Sequence, residues 1–211
     1  MEVKTFVSDV LDANCYLLTD GIKAIVIDPC VSYQRVFKNE KAMLAGVIIT
    51  HGHIDHINEL SSYLSKDNIK IYMHKRCEEK LTDSHKNYSA FFEERLSYDI
   101  KDEQKCLVHD RSEIEVLKEK LMIIETPGHT DCSICVLTGN MMFSGDTLFR
   151  DTIGRTDLNT GNTCSMQLSI EKLRNLKLDY QVFPGHGEPT TLNYEKEHNR
   201  YFIRRKNGKN S

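Results

Sequence analysis

The sequence predicts an α/β protein of the layered kind, in which helices cover β-sheets, and three observations support this fold class. Short apolar runs typical of buried strands alternate along most of the chain with stretches that predict helices. The composition, with 39% hydrophobic and 28% charged residues and only 4 prolines, is that of an ordinary globular protein. The length of 211 residues suits a single sizeable core. We therefore expect one domain over residues 1–211.

Strands and helices alternate in the first part of the chain. The apolar run that ends before Asp28 and Pro29 predicts a buried strand, because it is flanked by polar and turn-forming residues. The predicted elements are, in order, an opening hairpin, a strand over 24–27, a helix over 32–44, a strand over 47–49, a helix over 57–65 and a strand over 69–73.

Residues 74–110 form a charged stretch without strong strand signals, and we predict a connecting excursion with a helix around Phe91 and Phe92. Strand signals then resume, and their second block suggests that the two halves of the chain are similar. The predicted elements of this half are strands over 114–116, 121–124, 134–137 and 141–143, a helix over 164–176, a strand over 180–183 and a C-terminal helix over 192–204.

Charge and hydropathy exclude several classes of partner. The formal net charge of -3 gives no global attraction to nucleic acid or anionic lipid, although Arg204, Arg205, Lys206 and Lys209 form a small basic tail. No apolar run approaches the roughly 20 residues that span a bilayer. The N-terminus does not resemble a signal peptide, and an odd count of 7 cysteines favours free thiols. We expect a cytoplasmic protein with neither a nucleic-acid nor a membrane partner.

A dense cluster of ligand-type side chains follows the predicted strand over 47–49. The segment Thr50-His51-Gly52-His53-Ile54-Asp55-His56 holds three imidazoles and a carboxylate. Both groups are ordinary ligands for zinc and similar divalent ions, and an irregular turn after a strand can bring such close neighbours together. The alternative is a polar loop that happens to be rich in histidine. The density of ligand-type residues favours metal binding.

Three further strand ends share the arrangement of an apolar run, a glycine and a ligand-type residue. They lie in the segments 122–129, 142–146 and 180–186, which end at His129, Asp146 and His186. Glycine lets the backbone turn tightly at such a place. Taken singly, each residue is more often a hydrogen-bonded loop residue than a ligand. Because α/β sheets place their binding sites beyond the carboxyl ends of strands, the four strand ends are expected to meet at one pocket.

The number of candidate ligands exceeds what one tetrahedral zinc ion can use. The simplest division is two metal ions that share an anionic bridge, for which Asp146 is the natural candidate. The seven candidate ligands are His51, His53, Asp55, His56, His129, Asp146 and His186.

The motif His51-Gly52-His53-Ile54-Asp55-His56, followed in order by Gly-His, Gly-Asp and Gly-His-Gly, resembles the metallo-β-lactamase superfamily over nearly the whole chain. That resemblance implies an αββα sandwich. More narrowly, four segments resemble the short glyoxalase II-like (hydroxyacylglutathione hydrolase-like) thioester hydrolases: Thr126-Pro127-Gly128-His129-Thr130, Ser144-Gly145-Asp146-Thr147-Leu148-Phe149, Gly154-Arg155-Thr156-Asp157-Leu158 and Pro184-Gly185-His186-Gly187.

The resemblance implies a binuclear hydrolase whose substrate is a small-molecule thioester of the S-lactoylglutathione type. Its cofactors would be two divalent metal ions, with zinc as the first expectation and iron or manganese as alternatives. Asp55 and Asp146 are the predicted catalytic carboxylates. The ligand sets that the resemblance implies are His51, His53 and His129 for one ion, Asp55, His56 and His186 for the other, and Asp146 with a hydroxide as the bridge.

The chain departs from the family pattern in three places. Asn58-Glu59 replaces the usual glycines after the first cluster, and Asp131-Cys132 stands where small residues are usual. These changes alter the rim of the pocket and leave the ligand set intact. Too few residues follow His186 to build the C-terminal helical domain that supplies glutathione-binding groups in full-length glyoxalase II enzymes.

Other activities remain open at this point. A persulfide dioxygenase would need a single iron held by His51, His129 and Asp146, and a lactone hydrolase could use the same hydroxide. β-Lactam-hydrolysing enzymes resemble this pattern at the first histidine pair but lack the bridging Asp, so His56 and Asp146 disfavour that activity. Diiron flavoproteins resemble it but have Glu at the position of His53, and the net charge of -3 disfavours a tRNA-processing nuclease. A metal-binding protein without activity ranks below all of these.

Two features outside the ligand set have alternative interpretations. Arg155 and Asp157 either organise the substrate entrance or form a structural ion pair. Tyr88, Phe91 and Phe92 in the excursion either cover the pocket or pack in a buried helix.

Overall fold

The N-terminal half of the chain forms the first of two large sheets. The structure is a computed structural model that describes residues 1–66 and 69–203. The spatial order of the strands in this sheet follows the sequence. The first three strands pair antiparallel and the remaining pairs are parallel. The strands are β1 (Glu2–Val7), β2 (Asn14–Thr19), β3 (Lys23–Ile27), β4 (Met43–Ile49), β5 (Lys70–His74) and β6 (Lys105–Val108).

Short helices connect the parallel strands of this sheet, as crossover connections between parallel strands require. Two single 3-10 turns, Lys75–Cys77 and Ser89–Phe91, lie in the connection between β5 and β6. The helices are α1 (Tyr33–Val36), α2 (Ile54–Ile57), α3 (Leu60–Leu64) and α4 (Glu78–Thr82).

The second sheet uses the C-terminal half, and a small hairpin and two helices accompany it. Its strands are β7 (Glu113–Ile114), β8 (Leu121–Glu125), β9 (Ile134–Thr138), β10 (Met141–Gly145), β13 (Gln181–Pro184) and β14 (Thr190–Thr191), with the hairpin β11 (Leu148–Phe149) and β12 (Thr152–Ile153) and the helices α5 (Thr163–Arg174) and α6 (Leu192–His198). Across the sheet the order is β14-β13-β10-β9-β8-β7.

Three apolar layers hold the two sheets and their helices together. Side chains alternate along each strand, so a strand buried on both faces feeds two layers. In β3, Val26 packs towards the helices, whereas Ile25 and Ile27 pack between the sheets. In β10, Phe143 lies between the sheets and Met142 contacts the layer of α5 and α6. The result is a sandwich of helices, sheet, sheet and helices, and the predicted α/β fold class with its αββα layering is confirmed.

Three predicted elements were wrong in type or extent. The helix over 32–44 is only α1, because Met43 and Leu44 already belong to β4. The excursion over 74–110 contains α4 and β6, and its expected helix around Phe91 is a single 3-10 turn. β6 gave no strand signal because it is an edge strand, which pairs with β5 alone among the described strands and buries just one residue, Val108.

The remaining differences lie at element ends and in short hairpins. The predicted helix over 57–65 is divided into α2 and α3, and the two-residue strands β11 and β12 were not predicted. The C-terminal helix ends at His198, while the basic tail from Arg204 onward lies outside the described residues. Within the described residues, no helix is both long and apolar enough to cross a lipid bilayer.

A buried carboxylate of α6 connects this helix to the β11–β12 hairpin through hydrogen bonds. Glu195 is fully buried and accepts hydrogen bonds from the Asp151 backbone N–H at 3.0 Å, the Thr190 hydroxyl at 2.7 Å and the Asn199 amide at 2.8 Å. The Asn199 amide also donates to the Thr152 carbonyl in β12. The hairpin that borders the candidate site is thus held by the C-terminal helix.

Replacement of Glu195 by alanine is expected to lower the free energy of unfolding by about 3 kcal/mol, because several buried donors lose their acceptor together. Urea denaturation of the native protein and of Glu195→Ala measures the change. Glu197→Ala is the control, since Glu197 is exposed on the same helix and should change stability by less than about 0.5 kcal/mol. Equal stability of the two variants would contradict the role of Glu195.

Candidate metal centre

Four of the candidate ligands lie on the segment that follows β4. His51 comes two residues after the strand end, and His53 directly precedes α2. The single turn of α2 then turns the side chains of Asp55 and His56 towards the same region. All four residues are buried, which is unusual for charged and polar groups unless they have partners.

The other three candidate ligands follow strands of the second sheet. His129 comes after β8, Asp146 directly after β10 and His186 two residues after β13. β10 and β13 are parallel neighbours. β8 runs in the same direction as β10, because both strands pair antiparallel with β9. Their carboxyl ends therefore share one edge of the sheet, where all seven predicted residues come together.

Two glycines allow the strand ends to approach closely enough. A Cβ on Gly185 would lie 2.1 Å from Oδ1 of Asp146, so only glycine fits beside that carboxylate. Gly145 has φ +47°, in the left-handed region that favours glycine, and a Cβ there would lie 2.4 Å from the Thr50 hydroxyl oxygen. The Gly185 N–H donates to the Gly145 carbonyl at 2.9 Å and fixes the distance between the two strand ends.

The first group of ligand atoms belongs to His51, His53 and His129, whose offered atoms all lie within 4.8 Å of one another. Nδ1 of His53 and Nε2 of His129 are 2.9 Å apart. Nδ1 of His129 lies 2.8 Å from the Arg155 carbonyl, which can only accept, so this nitrogen donates and Nε2 is left with a lone pair. The ring nitrogens are thus oriented towards a common point.

The second group belongs to Asp55, His56 and His186, again within 4.8 Å. Oδ2 of Asp55 is 3.2 Å from Nε2 of His186 and 3.8 Å from Nε2 of His56. Nδ1 of His56 is 2.8 Å from a carboxylate oxygen of Asp28, so it donates there and its Nε2 faces the group. The Thr50 backbone N–H and hydroxyl donate to the same carboxylate, each at 2.7 Å.

Asp146 lies between the two groups. Its Oδ1 is 3.3 Å from Nε2 of His56, and its Oδ2 is 3.4 Å from Nε2 of His129 and 3.7 Å from Nε2 of His186. One carboxylate therefore faces ligand atoms of both groups, which is the position of a bridging ligand.

Burial and the mutual fields of these residues set their protonation. Burial lowers the pKa of His51 well below its usual value and lowers the pKa of His53 to about 3. Burial also lowers the pKa of His56, but the surrounding carboxylates, Asp146 first, outweigh it and raise that pKa. Burial raises the pKa of Asp146, and the adjacent histidines, His56 first, outweigh this effect and lower it. The ionised form of Asp146 and the neutral forms of His51 and His53 are thus favoured, whereas the carboxylates favour the protonated form of His56.

The donor set fits divalent metal ions. Three polar atoms of the centre are buried without a hydrogen-bond partner among the described residues, namely Nε2 of His51, Nε2 of His53 and Oδ1 of Asp146. Such atoms carry a desolvation cost unless a ligand compensates it. Imidazole nitrogens and carboxylate oxygens that converge in this way are the ligands of zinc, iron and manganese sites.

Sequence reasoning missed Asp28 as a functional residue and treated it only as the end of a strand. The carboxylate is buried and orients His56, and its backbone has φ +54°, a costly conformation for a residue other than glycine. Part of the signal was available, because Asp28 directly follows the buried strand β3, although no glycine precedes it as one precedes His129, Asp146 and His186. The Arg155 carbonyl, which orients His129, carried no such signal because any residue type has one.

A cavity of about 820 Å³ opens above the ligand atoms. Tyr88 and Phe92 line it, together with Phe149 from the β11–β12 hairpin, whereas Phe91 does not. Tyr88 and Phe92 therefore border the pocket, whereas Phe91, which is 73% exposed, neither lines the pocket nor packs in a buried helix. Arg155, which also lines the cavity, forms a bidentate ion pair with Asp157, with both nitrogen to oxygen distances at 2.7 Å.

Comparison with known proteins gives matches along nearly the whole chain. The family model described as metallo-beta-lactamase superfamily matches residues 8–186. Protein ML0493 of Mycobacterium leprae is 31% identical, over 94% of this chain and 97% of its own length. The probable metallo-hydrolase YqgX of Bacillus subtilis is 30% identical, over 90% of this chain and 92% of its own length. The crystal structure of BLEG-1 B3 metallo-beta-lactamase is similar with a TM-score of 0.87 and 26% identity, over 96% of this chain and 100% of that chain.

Proposed function

The chain belongs to the metallo-beta-lactamase superfamily of metal-dependent hydrolases, and on that premise we propose that it hydrolyses a thioester at a binuclear metal centre. The observation that carries the proposal is the position of Asp146, whose carboxylate lies 3.3 Å from Nε2 of His56 in one ligand group and 3.4 Å from Nε2 of His129 in the other. Members of the superfamily bind divalent metals. The thioester, of the S-lactoylglutathione type, rests on the glyoxalase II-like segments of the sequence, such as 144–149 and 184–187.

The side chains of the centre have different roles in the proposed reaction. Two divalent ions, when bound, would supply a hydroxide nucleophile at neutral pH and Lewis acidity for the thioester carbonyl. Asp55 and Asp146 are the catalytic carboxylates in this proposal, because they would touch the metals and balance their charge. Asp28 keeps the proton of His56 on Nδ1, away from the ligand side. The cavity walls orient the thioester, and water adds across the bond between acyl carbon and sulfur to give an acid and a thiol.

We also propose that residues 1–211 act as one domain. Each ligand group takes residues from both sheets, since His129 completes the first group and His186 completes the second. Neither half of the chain would therefore hold either metal ion by itself.

Removal of the metal is expected to abolish hydrolysis reversibly. Protein dialysed against a chelator should lose more than about 99% of its thioester hydrolysis, because the nucleophile and the Lewis acid are lost together. Zinc should restore the rate, with an end point near two ions per chain by elemental analysis. Lactoylglutathione and a simpler thioester serve as substrates. Full activity at one ion per chain would contradict the binuclear proposal.

A second candidate function is a persulfide dioxygenase that uses one iron. The observation in its favour is that His129 and Asp146 lie 3.4 Å apart, with the His51 ring 4.9 Å from that of His129, which is a two-histidine and one-carboxylate set. Oxygen uptake with glutathione persulfide, measured on protein loaded with iron or with zinc, separates the two. Oxygen uptake without thioester hydrolysis would replace our proposal.

The same assay can include two further substrate classes. A lactone tests the alternative that uses the same hydroxide, and a β-lactam tests the likeness to BLEG-1 B3 metallo-beta-lactamase. We expect the highest kcat/KM with the thioester, compared with the persulfide, the lactone and the β-lactam.

A further inference from the structure

The walls of the cavity above the metal centre are largely apolar. Exposed apolar residues of a folded protein usually occur singly, and a group of them around a concave site marks a surface that binds a ligand. The charged residues that line the cavity are those of the metal centre, Arg150 and Asp151 of the β11–β12 hairpin, and Arg155 and Glu188. The apolar and aromatic side chains that line it are Leu11, Ile54, Tyr88, Phe92, Phe149 and Leu158.

Aromatic rings contact both ligand groups from the cavity side. The ring of Tyr88 lies edge-on to that of His53, with centroids 5.2 Å apart, and the ring of Phe149 lies edge-on to that of His186 at 6.1 Å. The apolar surface therefore begins at the metal centre itself. A group attached directly to a carbonyl carbon at the centre would lie close to these two aromatic rings.

The Tyr88 side of the wall is fixed in place before any ligand binds. Asn87 is fully buried, its carbonyl accepts from the Ile54 N–H at 2.8 Å, and its side chain donates to the Lys80 carbonyl at 2.8 Å. The Tyr88 hydroxyl accepts a hydrogen bond from the Asn159 N–H across the cavity. Tyr88 has φ +68°, a strained conformation that these contacts hold. A preformed wall loses little entropy when a ligand packs on it.

Two apolar side chains of the cavity are left in solvent. Leu11 is 59% exposed and has φ +53°, and Phe92 is 43% exposed with no ring partner among the described residues. Exposure of a leucine in a left-handed conformation costs free energy twice, in hydration and in backbone strain. A ligand that covers these side chains removes the free-energy cost of their hydration.

We propose that the cavity accepts a bulky apolar acyl group, so that medium-chain or aromatic acyl thioesters are better substrates than lactoyl thioesters. This inference rests on the proposed thioester hydrolysis and specifies its substrate class. A lactoyl group would fill only a small part of about 820 Å³ and would place its hydroxyl against aromatic rings. A longer acyl chain extends from the centre past Tyr88 and Phe149 towards Phe92.

A chain-length series tests the proposal on the zinc-loaded protein. Lactoyl, butyryl, hexanoyl and octanoyl thioesters of one thiol, glutathione, keep the carrier constant. We expect kcat/KM to rise by about fourfold for each methylene that becomes buried, until the cavity is full. A rate that is highest with lactoylglutathione, or one that does not change with chain length, overturns the proposal.

Adjacent phenylalanines provide a matched pair of variants. Phe92→Ala is expected to lower kcat/KM for the hexanoyl thioester by about tenfold and to leave the butyryl thioester nearly unchanged, because only the longer chain reaches that ring. Phe91→Ala is the control, since Phe91 is 73% exposed on the same loop and does not line the cavity. Equal effects of the two substitutions on the hexanoyl thioester would overturn the proposal.

A binding measurement separates failure of this inference from failure of the proposed function. S-hexylglutathione is a thioether that cannot be hydrolysed, and calorimetry can compare its binding with that of S-methylglutathione. Tighter binding of the hexyl compound that weakens in Phe92→Ala supports the apolar subsite even if no thioester is hydrolysed, in which case the proposed function alone is wrong. Equal binding of the two thioethers overturns the inference, whether or not thioesters are hydrolysed.

Discussion

Asp146→Asn is expected to lower thioester hydrolysis by about a thousandfold and the metal content from two ions per chain towards one. The substitution keeps the shape of the side chain but removes its negative charge and one of its two acceptor oxygens. Oδ1 is 3.3 Å from Nε2 of His56 and Oδ2 is 3.4 Å from Nε2 of His129, so an amide, which has a single oxygen, can serve only one of these two positions. A thousandfold loss corresponds to ~4 kcal/mol, within what a metal contributes to transition-state stabilisation.

Elemental analysis after gel filtration, together with steady-state kinetics on the same samples, measures this result. Asp99→Asn is the control, because it makes the same chemical change at an exposed residue of the excursion, outside the centre. Circular dichroism verifies that Asp146→Asn is folded. Near-normal metal content together with near-normal hydrolysis would show that Asp146 does not bridge.

The candidate centre was predictable because its residues follow a local rule that sequence displays. His129, Asp146 and His186 each follow an apolar strand and a glycine, and parallel strands bring such positions to one edge. The fold class was predictable for a similar reason, since strands buried on both faces appear as continuous apolar runs. β3 is an example, with Ala24 to Ile27 all buried.

The cavity walls were less predictable because they depend on tertiary contacts. Phe91 and Phe92 are adjacent in sequence, yet only Phe92 lines the cavity, and nothing in the residue types distinguishes them. The direction of Tyr88 depends on the buried side chain of Asn87 and on the backbone of Asn159, which is distant in sequence. The edge strand β6 was missed because its exposure on one side removes the apolar pattern.

The contacts of Asp28 lead to the second large effect, because this carboxylate determines which nitrogen of His56 carries the proton. It accepts from Nδ1 of His56 at 2.8 Å and from the Thr50 N–H and hydroxyl. In Asp28→Asn, an amide that still accepts from the Thr50 N–H presents its NH2 group to His56. Nδ1 of His56 must then accept, and the proton moves to Nε2, which faces Asp55, Asp146 and His186.

Asp28→Asn should therefore weaken metal binding by about 10 to 100-fold, the range found when a residue that orients a ligand is lost. Competition with a chromophoric chelator measures the affinity, and hydrolysis at saturating zinc shows whether the bound metal still works. Asp12→Asn is the matched control, because Asp12 is exposed and its φ of +54° is the same as that of Asp28. Both substitutions tolerate that backbone conformation, so a difference between them isolates the carboxylate. Unchanged metal affinity in Asp28→Asn would mean that His56 either is not a ligand or keeps its tautomer without Asp28.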